Sequence, residues 1–201
     1  MKKFLSLLLI CSIFFVGNMT ANAAERDLYE EIVNEYNEMY DISLEYVEVA
    51  PNTNIDEYRD FIARIASEER ATLDYIASVE ARNIMNSTIT PHNIITERST
   101  VTVTETKTAS SASYVDASAY SVTCTFERYT NTIGNPTSVS VTVDSSIIIM
   151  RGYSQSSWSY NRYDSLRTLG ITSKGSVTEH FTISGTSNTV ANVTVYAEFY
   201  K

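Results

Sequence analysis

The first regular hydrophobic spacing in the chain follows residue 25 and is helical. Leu28, Ile32, Tyr36 and Tyr40 recur every four residues, and acidic side chains occupy many of the positions between them. One side of a helix repeats with this period because 3.6 residues complete each turn. The spacing therefore predicts an amphipathic helix from about Glu25 to Tyr40.

A short strand and a longer helix are predicted next. Apolar and polar residues alternate from Ile42 to Val49, which is the period of a half-buried strand. Asn54 and Glu57 then have the spacing of a capping box, in which each side chain satisfies a backbone N–H group of the first helical turn. The helical stripe beyond them continues to about Arg82 without Gly or Pro.

Three consecutive charged residues, Glu68, Glu69 and Arg70, interrupt the stripe of this second helix. Charged side chains are seldom fully buried. The interruption predicts either a bend in the helix or a middle turn that is exposed to solvent.

The composition changes at Ser99. Ser and Thr make up 37 of the 103 residues from 99 to 201, and they alternate with Val in several runs. Such runs are typical of strands with one apolar and one hydroxylated face. Turn-forming residues occur at Gly134–Pro136, Lys174–Gly175 and Ser184–Thr186. The pattern predicts an antiparallel β-sandwich of about six to eight strands and, with the helices, an α+β fold.

The start of the chain has the three parts of a secretory signal peptide. Lys2 and Lys3 precede an uncharged apolar run from Phe4 to Val16, and Ala21 and Ala23 supply the small side chains of a cleavage site. The run is shorter than the roughly 20 residues that a membrane-spanning helix needs. We expect cleavage after Ala23, secretion, and no transmembrane segment in the mature chain.

These features divide the chain into four segments. Residues 1–23 form the signal peptide, 24–83 a helical module with one strand, 84–98 a polar connector, and 99–201 the Ser/Thr-rich sandwich. An alternative treats residues 24–98 as a pro-segment that is removed after export.

The net charge of −9 is unevenly distributed. Residues 24–98 carry 17 acidic and 6 basic side chains, whereas residues 99–201 carry 7 of each. Nucleic-acid phosphates and anionic lipid surfaces repel an acidic module that has no basic stripe. The sequence therefore predicts no nucleic-acid partner, and solvated helix faces account for the acidity.

Reactive side chains are few in the mature chain. Cys124 is its single cysteine, and the alternation around it predicts a buried thiol on the apolar face of a strand. His92 lies in the connector and His180 in a predicted strand, and neither belongs to a metal-binding or nucleophile motif. The sequence predicts no metal, no cofactor and no catalytic residue, and it does not favour an enzyme.

The most distinctive segment runs from Gly152 to Tyr163. It combines the sole tryptophan with tyrosines and an arginine among small hydroxylated residues. Flat aromatic faces beside directional polar groups suit the binding of a glycan or a peptide. The candidate ligand-binding residues are Tyr153, Trp158, Tyr160, Arg162 and Tyr163. The alternative is that these aromatic rings cover the core of the sandwich.

The leading hypothesis for function is a secreted, non-catalytic binding or cell-envelope-associated protein, with cell-wall glycan or a protein as its partner. The first alternative is a secreted effector, pore-forming or bacteriocin-like, which the hydroxyl-rich strands suggest. The second is a hydrolase, which requires His180 beside Cys124 or a serine hydroxyl. The overall plan resembles that of small exported bacterial proteins in a general way, and no motif identifies a family.

Overall fold

The structure is a computed structural model, and it describes residues 26–49, 53–86, 100–109, 120–144, 149–181 and 185–201. The predicted signal peptide and nearly all of the predicted connector, including His92, lie outside these ranges. The described residues form two helices and seven strands.

The first helix, α1, covers residues 26–40 and confirms the predicted amphipathic helix. Its apolar side contributes Ile32 and Val33 to the core, where both are almost fully buried. The helix ends at Asp41, whose φ of 52° is left-handed. A single residue in this conformation commonly terminates a helix.

The second helix, α2, runs from Ile55 to Asn86 and is 32 residues long, or about 48 Å at 1.5 Å per residue. The Asn54 half of its predicted capping box is confirmed, because the Oδ1 atom of Asn54 accepts a hydrogen bond from the backbone N–H of Asp56 at 2.8 Å. The side that faces the core includes the fully buried Ile65.

The strands are β1 (Glu45–Val49), β2 (Val101–Thr108), β3 (Tyr120–Arg128), β4 (Ile133–Val143), β5 (Ile149–Tyr163), β6 (Thr168–Phe181) and β7 (Thr186–Tyr200). Sheet A has the order β1–β7–β6–β5 and sheet B the order β2–β3–β4, with every pair antiparallel. The rings of Phe126 in sheet B and Phe199 in sheet A meet edge to face at 5.7 Å. The predicted α+β fold is confirmed, with six of the strands after Ser99.

Strand β1 joins the helical module to the sheet of the C-terminal half. Tyr46 pairs with Val190 and Val49 pairs with Asn188, so β1 forms one edge of sheet A. Buried apolar residues of both helices and both sheets belong to one continuous core. The helical module and the β half therefore share a single hydrophobic core.

The predicted turn at Gly134–Pro136 is wrong, because these residues lie inside β4. The turn comes earlier, where the N–H of Tyr129 donates to the carbonyl of Thr132 at 3.0 Å. Proline is tolerated in β4 because this strand lies at the edge of sheet B and its register shifts near Pro136.

The predicted turn at Lys174–Gly175 is also wrong, because both residues lie inside β6. A Cβ atom on Gly175 would overlap the carbonyl oxygen of Ser154 and lie 2.8 Å from Cζ of Tyr153. This glycine allows two strands to approach closely beside an irregularity in their register. The third predicted turn is confirmed at Gly185, which has a left-handed φ of 69°.

The predicted exposed middle of α2 is wrong for Glu68 and Glu69, and the alternative of a bend stays a prediction. The helix is continuous, and Glu68 and Glu69 are both buried. Both carboxylate oxygens of Glu69 accept hydrogen bonds from Thr194 on β7. A polar partner in sheet A, instead of solvent, satisfies this charged side chain.

A buried ion cluster also joins α2 to sheet A. The carboxylate of Glu179 on β6 is 1% exposed and pairs with Arg64 of α2. The Nε atom of Arg151 on β5 lies 2.7 Å from the same carboxylate oxygen. Arg64 also lies 3.5 Å from the buried carboxylate of Glu68, so two guanidinium groups and two carboxylates join the helix to two neighbouring strands.

Candidate functional site

Strand β5 carries all five predicted ligand-binding residues and forms the second edge of sheet A. Its register with β6 shows on which face of the sheet each side chain lies. The cross-strand pairs are Trp158 with Ser173, Tyr160 with Ile171, and Arg162 with Leu169. Residues directly opposite each other share a face. The three β6 residues are buried. The three β5 residues therefore lie on the core-facing side of the sheet, along its open edge.

We call Trp158, Tyr160 and Arg162 the aromatic strip. The two rings are 37% and 38% exposed, and their centroids are 6.4 Å apart with an angle of 37° between the ring planes. The guanidinium of Arg162 donates to the carbonyl of Ile133 on β4 at 3.4 Å. Both rings therefore present part of their surface to solvent along the open edge of the sheet, and Arg162 follows two residues after Tyr160 on the same face.

Tyr153 lies apart from the aromatic strip, in contact with the core. Its ring meets that of Tyr120 edge to face at 5.9 Å, and its hydroxyl lies 3.3 Å from Oγ of Ser173. Burial raises the pKa of Tyr153 to about 12. The structure therefore gives this predicted site residue a packing role.

Tyr163 lies on the opposite face of β5 from the aromatic strip, because it directly follows Arg162 in the strand. Its ring lies near Tyr196 of β7, because Cε2 of Tyr163 and Oη of Tyr196 both lie within 3 Å of the position that a Cβ atom on Gly170 would take. The structure thus brings three of the five predicted residues together and assigns this one to a different cluster.

That second cluster surrounds the buried carboxylate of Glu198 on β7. Its oxygens accept hydrogen bonds from the hydroxyl of Tyr75 at 3.3 Å, from that of Tyr196 at 3.2 Å, and from that of Tyr200. We call Glu198 and the tyrosines at positions 75, 163, 196 and 200 the tyrosine cluster. Desolvation, followed by the neighbouring Glu198 carboxylate, raises the pKa values of Tyr196 and Tyr200.

A cavity of about 180 Å³ lies beside the tyrosine cluster, and we call it the C-terminal pocket. It is lined by Val79, Arg82, Asn83, Tyr163, Asp164, Thr168, Glu198 and Tyr200. Sequence reasoning missed this site, although the alternation of Tyr196, Glu198 and Tyr200 along one strand was a usable signal. The pocket residues that come from α2, namely Val79, Arg82 and Asn83, show no comparable pattern in the sequence.

The Cys/His pair considered from the sequence does not form. Cys124 is fully buried on the core-facing side of sheet B, which confirms the predicted buried thiol, and burial raises its pKa to about 11. His180 lies across from Ser187 instead, with Nδ1 2.8 Å from Oγ. The geometric condition for a hydrolase, a serine hydroxyl beside His180, is thus met by Ser187. The cross-strand neighbour of His180 on the other side, Met150, supplies no acid that would orient the imidazole. The Ser–His contact alone does not define a catalytic site.

Two further properties concern the described residues. They contain no group of three or more His, Cys, Asp or Glu side chains placed to hold a metal ion. Neither α1 nor α2 within these ranges has the combination of length and apolar content that spanning a bilayer requires.

Comparisons of the chain with protein-family models, with curated proteins and with solved structures each return no match. Function therefore has to be inferred from the geometry of the chain itself.

Proposed function

We propose that this chain is an exported, non-catalytic binding protein of the cell envelope, and that the aromatic strip binds cell-wall glycan. The observation that carries the proposal is the pair of adjacent, partly exposed rings of Trp158 and Tyr160 along an open sheet edge. The signal-peptide pattern of residues 1–23 supports export.

The geometry of the aromatic strip suits an extended sugar chain. Alternate residues of a strand are about 6.6–6.8 Å apart, so two consecutive rings on one face can each stack against a sugar ring. Arg162, two residues beyond Tyr160, adds hydrogen-bond donors at the end of the strip. Since Arg162 retains donors beyond the one that binds the Ile133 carbonyl, the strip combines apolar faces with directional polar contacts.

Tryptophan fluorescence tests the proposal directly, because Trp158 is the only tryptophan in the chain. Titration with solubilised cell-wall glycan fragments should shift or quench its emission in a saturable way. Cosedimentation with purified cell walls gives a second measurement that does not depend on tryptophan. The Trp158→Ala and Tyr160→Ala variants should each weaken cosedimentation about tenfold, the effect of losing about 1.4 kcal/mol.

The matched control is Met150→Ala, which removes an exposed apolar side chain from the opposite face of the same strand. This variant should bind like the wild type. Equal binding by the wild type and both strip variants would contradict the proposal. So would cosedimentation that leaves the emission of Trp158 unchanged.

A secreted, pore-forming effector is the second candidate, and the outer face of sheet B favours it. Three rows of three hydroxylated residues cross this face, and Glu127, which pairs with Thr102, places one charge at its end. The rows are Thr104, Thr125 and Ser138; Thr106, Thr123 and Ser140; and Thr108, Ser121 and Thr142. The first two rows contain Thr–Thr hydroxyl contacts of 2.8 Å. A largely hydroxylated face suits strands that line an aqueous pore.

The reverse face of sheet B places this candidate second. Lipid contact requires an apolar face, and Glu105 and Lys107 interrupt that face on β2. Leakage of dye from lipid vesicles at micromolar protein would support the effector. Intact vesicles, together with saturable binding to cell walls, would exclude it.

A further inference from the structure

The C-terminal pocket is a second candidate binding site, on the opposite face of β5 from the aromatic strip. Its walls come from the end of α2, the β5–β6 turn and the last strand, β7. Its volume of about 180 Å³ is below the roughly 300–1,000 Å³ of pockets that hold drug-sized ligands. A ligand that fills it has about the size of a single ring.

The polar groups that line the pocket are of both signs. Arg82 contributes a guanidinium, and Asp164 and Glu198 contribute carboxylates. The carboxylates disfavour a simple anion, and the guanidinium disfavours a simple cation. Donors and acceptors of this kind, placed around a small cavity, suit an uncharged ligand that carries several hydroxyl groups.

Several of these polar atoms remain available to a ligand. Within the described residues, Arg82 donates only from Nε, to the carbonyl of Ser78 at 3.3 Å. The amide nitrogen of Asn83 donates to Val79 at 2.8 Å, which leaves its Oδ1 atom as an acceptor. The Asp164 carboxylate makes no hydrogen bond in the described part of the chain. Donor and acceptor groups thus line the cavity without being used inside the protein.

The wall that carries Asp164 is held in an uncommon conformation. Asp164, Ser165 and Leu166 have φ values of 50°, 54° and 68°, in the left-handed region that non-glycine residues seldom adopt. The N–H of Ile133 donates to the carbonyl of Leu166 at 2.7 Å, and that of Lys201 donates to the carbonyl of Arg167 at 2.9 Å. Neighbouring elements therefore fix the backbone of the turn that carries Asp164 before any ligand arrives.

The aromatic wall is equally constrained. A Cβ atom on Gly170 would overlap Oη of Tyr196 and lie 2.8 Å from Cε2 of Tyr163. The two tyrosines can occupy these positions only over a glycine. Tyr200 and Tyr163 line the pocket, and their rings supply the flat surface on which the C–H groups of a sugar ring pack.

We propose that the C-terminal pocket binds one sugar ring, as an uncharged monosaccharide or as the terminal residue of a glycan. Asp164 and Asn83 accept hydrogen bonds from the sugar hydroxyls, Arg82 donates to them, and the rings of Tyr163 and Tyr200 pack against the sugar. This site shares only its class of ligand with the aromatic strip, and each can fail without the other.

The test is an NMR titration of the full mature chain with its tyrosine rings isotopically labelled. The probes are glucose, galactose and N-acetylglucosamine. Glycine is added as a zwitterion, because its ammonium and carboxylate groups complement the carboxylates and the guanidinium of the pocket. A sugar should produce saturable shifts of the Tyr163 and Tyr200 ring signals. Absence of shifts with all three sugars would overturn the proposal, and shifts with glycine alone would assign the pocket to a zwitterion instead.

Variants separate the pocket from the rest of the molecule. Asp164→Asn, which keeps a side chain that tolerates a left-handed φ, and Arg82→Ala should each weaken sugar binding at least tenfold. Glu80→Ala, two residues from Arg82 on an exposed part of α2, is the matched control. Trp158→Ala should leave these shifts unchanged while it impairs binding to cell walls. Unchanged sugar binding in both pocket variants would overturn the assignment.

Discussion

The carboxylate of Glu69 on α2 binds both the backbone N–H and the hydroxyl of Thr194 on β7, each at 2.6 Å. Among the described residues, β1 covers only the first part of β7, and beyond it the N–H groups of β7 that face away from β6 lie at an edge of sheet A. Glu69 takes the place of a strand partner at one such group. The relationship explains why a charged residue interrupts the apolar stripe of the helix.

Replacing Glu69 should therefore destabilise the fold. Glu69→Ala leaves a buried N–H and a buried hydroxyl without a partner, so the free energy of unfolding should fall by about 2–3 kcal/mol. Glu69→Gln should cost less, because its amide can accept from the N–H and donate to the hydroxyl. Urea denaturation measures both, with the exposed Glu80→Ala as the control on the same helix. Equal stability of the Glu69→Ala and Glu80→Ala variants would contradict this role.

The same carboxylate predicts a pH dependence. Desolvation by burial raises the pKa of Glu69 above its ordinary value, against the opposing effect of the hydrogen bonds from Thr194. The folded state therefore holds this proton more tightly than the unfolded chain does, and ionisation of Glu69 weakens folding. Its contribution is fully present below the ordinary pKa of glutamate, about 4.3, and is lost as the pH rises through the raised value.

The Glu69→Gln variant isolates this effect, since the other carboxylates are common to both chains. The unfolding free energy of the variant, minus that of the wild type, should increase as the pH rises from 4 to 7. Urea denaturation at several pH values measures the difference. A difference that stays constant, or falls, would show that the pKa of Glu69 is not raised in the folded state.

Two glycines on neighbouring strands give a matched pair for testing close packing. Gly175→Ala places a Cβ atom against the carbonyl oxygen of Ser154, a backbone atom that cannot move independently, and should cost about 1–3 kcal/mol. Gly152→Ala meets nothing within 4 Å and should leave the unfolding free energy unchanged or raise it by up to about 1 kcal/mol. Thermal denaturation compares the two. Equal effects would refute the close approach at Gly175.

The sequence predicted those elements whose signals are local. The cap at Asn54, the period of α2 and the alternation of the strands each depend on residues a few positions apart. The two wrong turns, at Gly134–Pro136 and Lys174–Gly175, failed for a different reason. Position 175 requires glycine because the carbonyl group of Ser154, 21 residues earlier in the chain, lies against it. The spacing of residues in the sequence does not predict this contact between two strands.

The candidate site shows the same limit. If side chains alternated strictly along β5, Tyr163 would lie on the same face of the strand as Tyr153. Trp158 and Tyr160 would then lie on the opposite face. The register shift between Gln155 and Ser157 inserts one residue and exchanges these faces. The aromatic content of β5 was predictable, whereas the partition of its rings between the strip and the tyrosine cluster depends on this bulge.

Cys124 should be unreactive in the folded protein. The thiolate is the reactive form, and burial raises the pKa of this thiol to about 11. The chain that begins at Ala24 contains no other cysteine, so a thiol reagent at pH 8 reports on Cys124 alone. We expect no reaction under native conditions and one equivalent in denaturant, which serves as the internal control. Rapid native reaction would show that the core around β3 opens.

The shared core predicts that the two halves stay together after the chain is cut between them. A site-specific protease sequence inserted between residues 90 and 95 separates the helical module from the β half. The two pieces should still elute together, because β1 pairs with β7 and Glu69 binds Thr194. Size-exclusion chromatography before and after denaturation measures this, with the uninserted chain as the control for digestion. Separation of the pieces under native conditions, with the native emission of Trp158 retained, would instead support a removable pro-segment at residues 24–98.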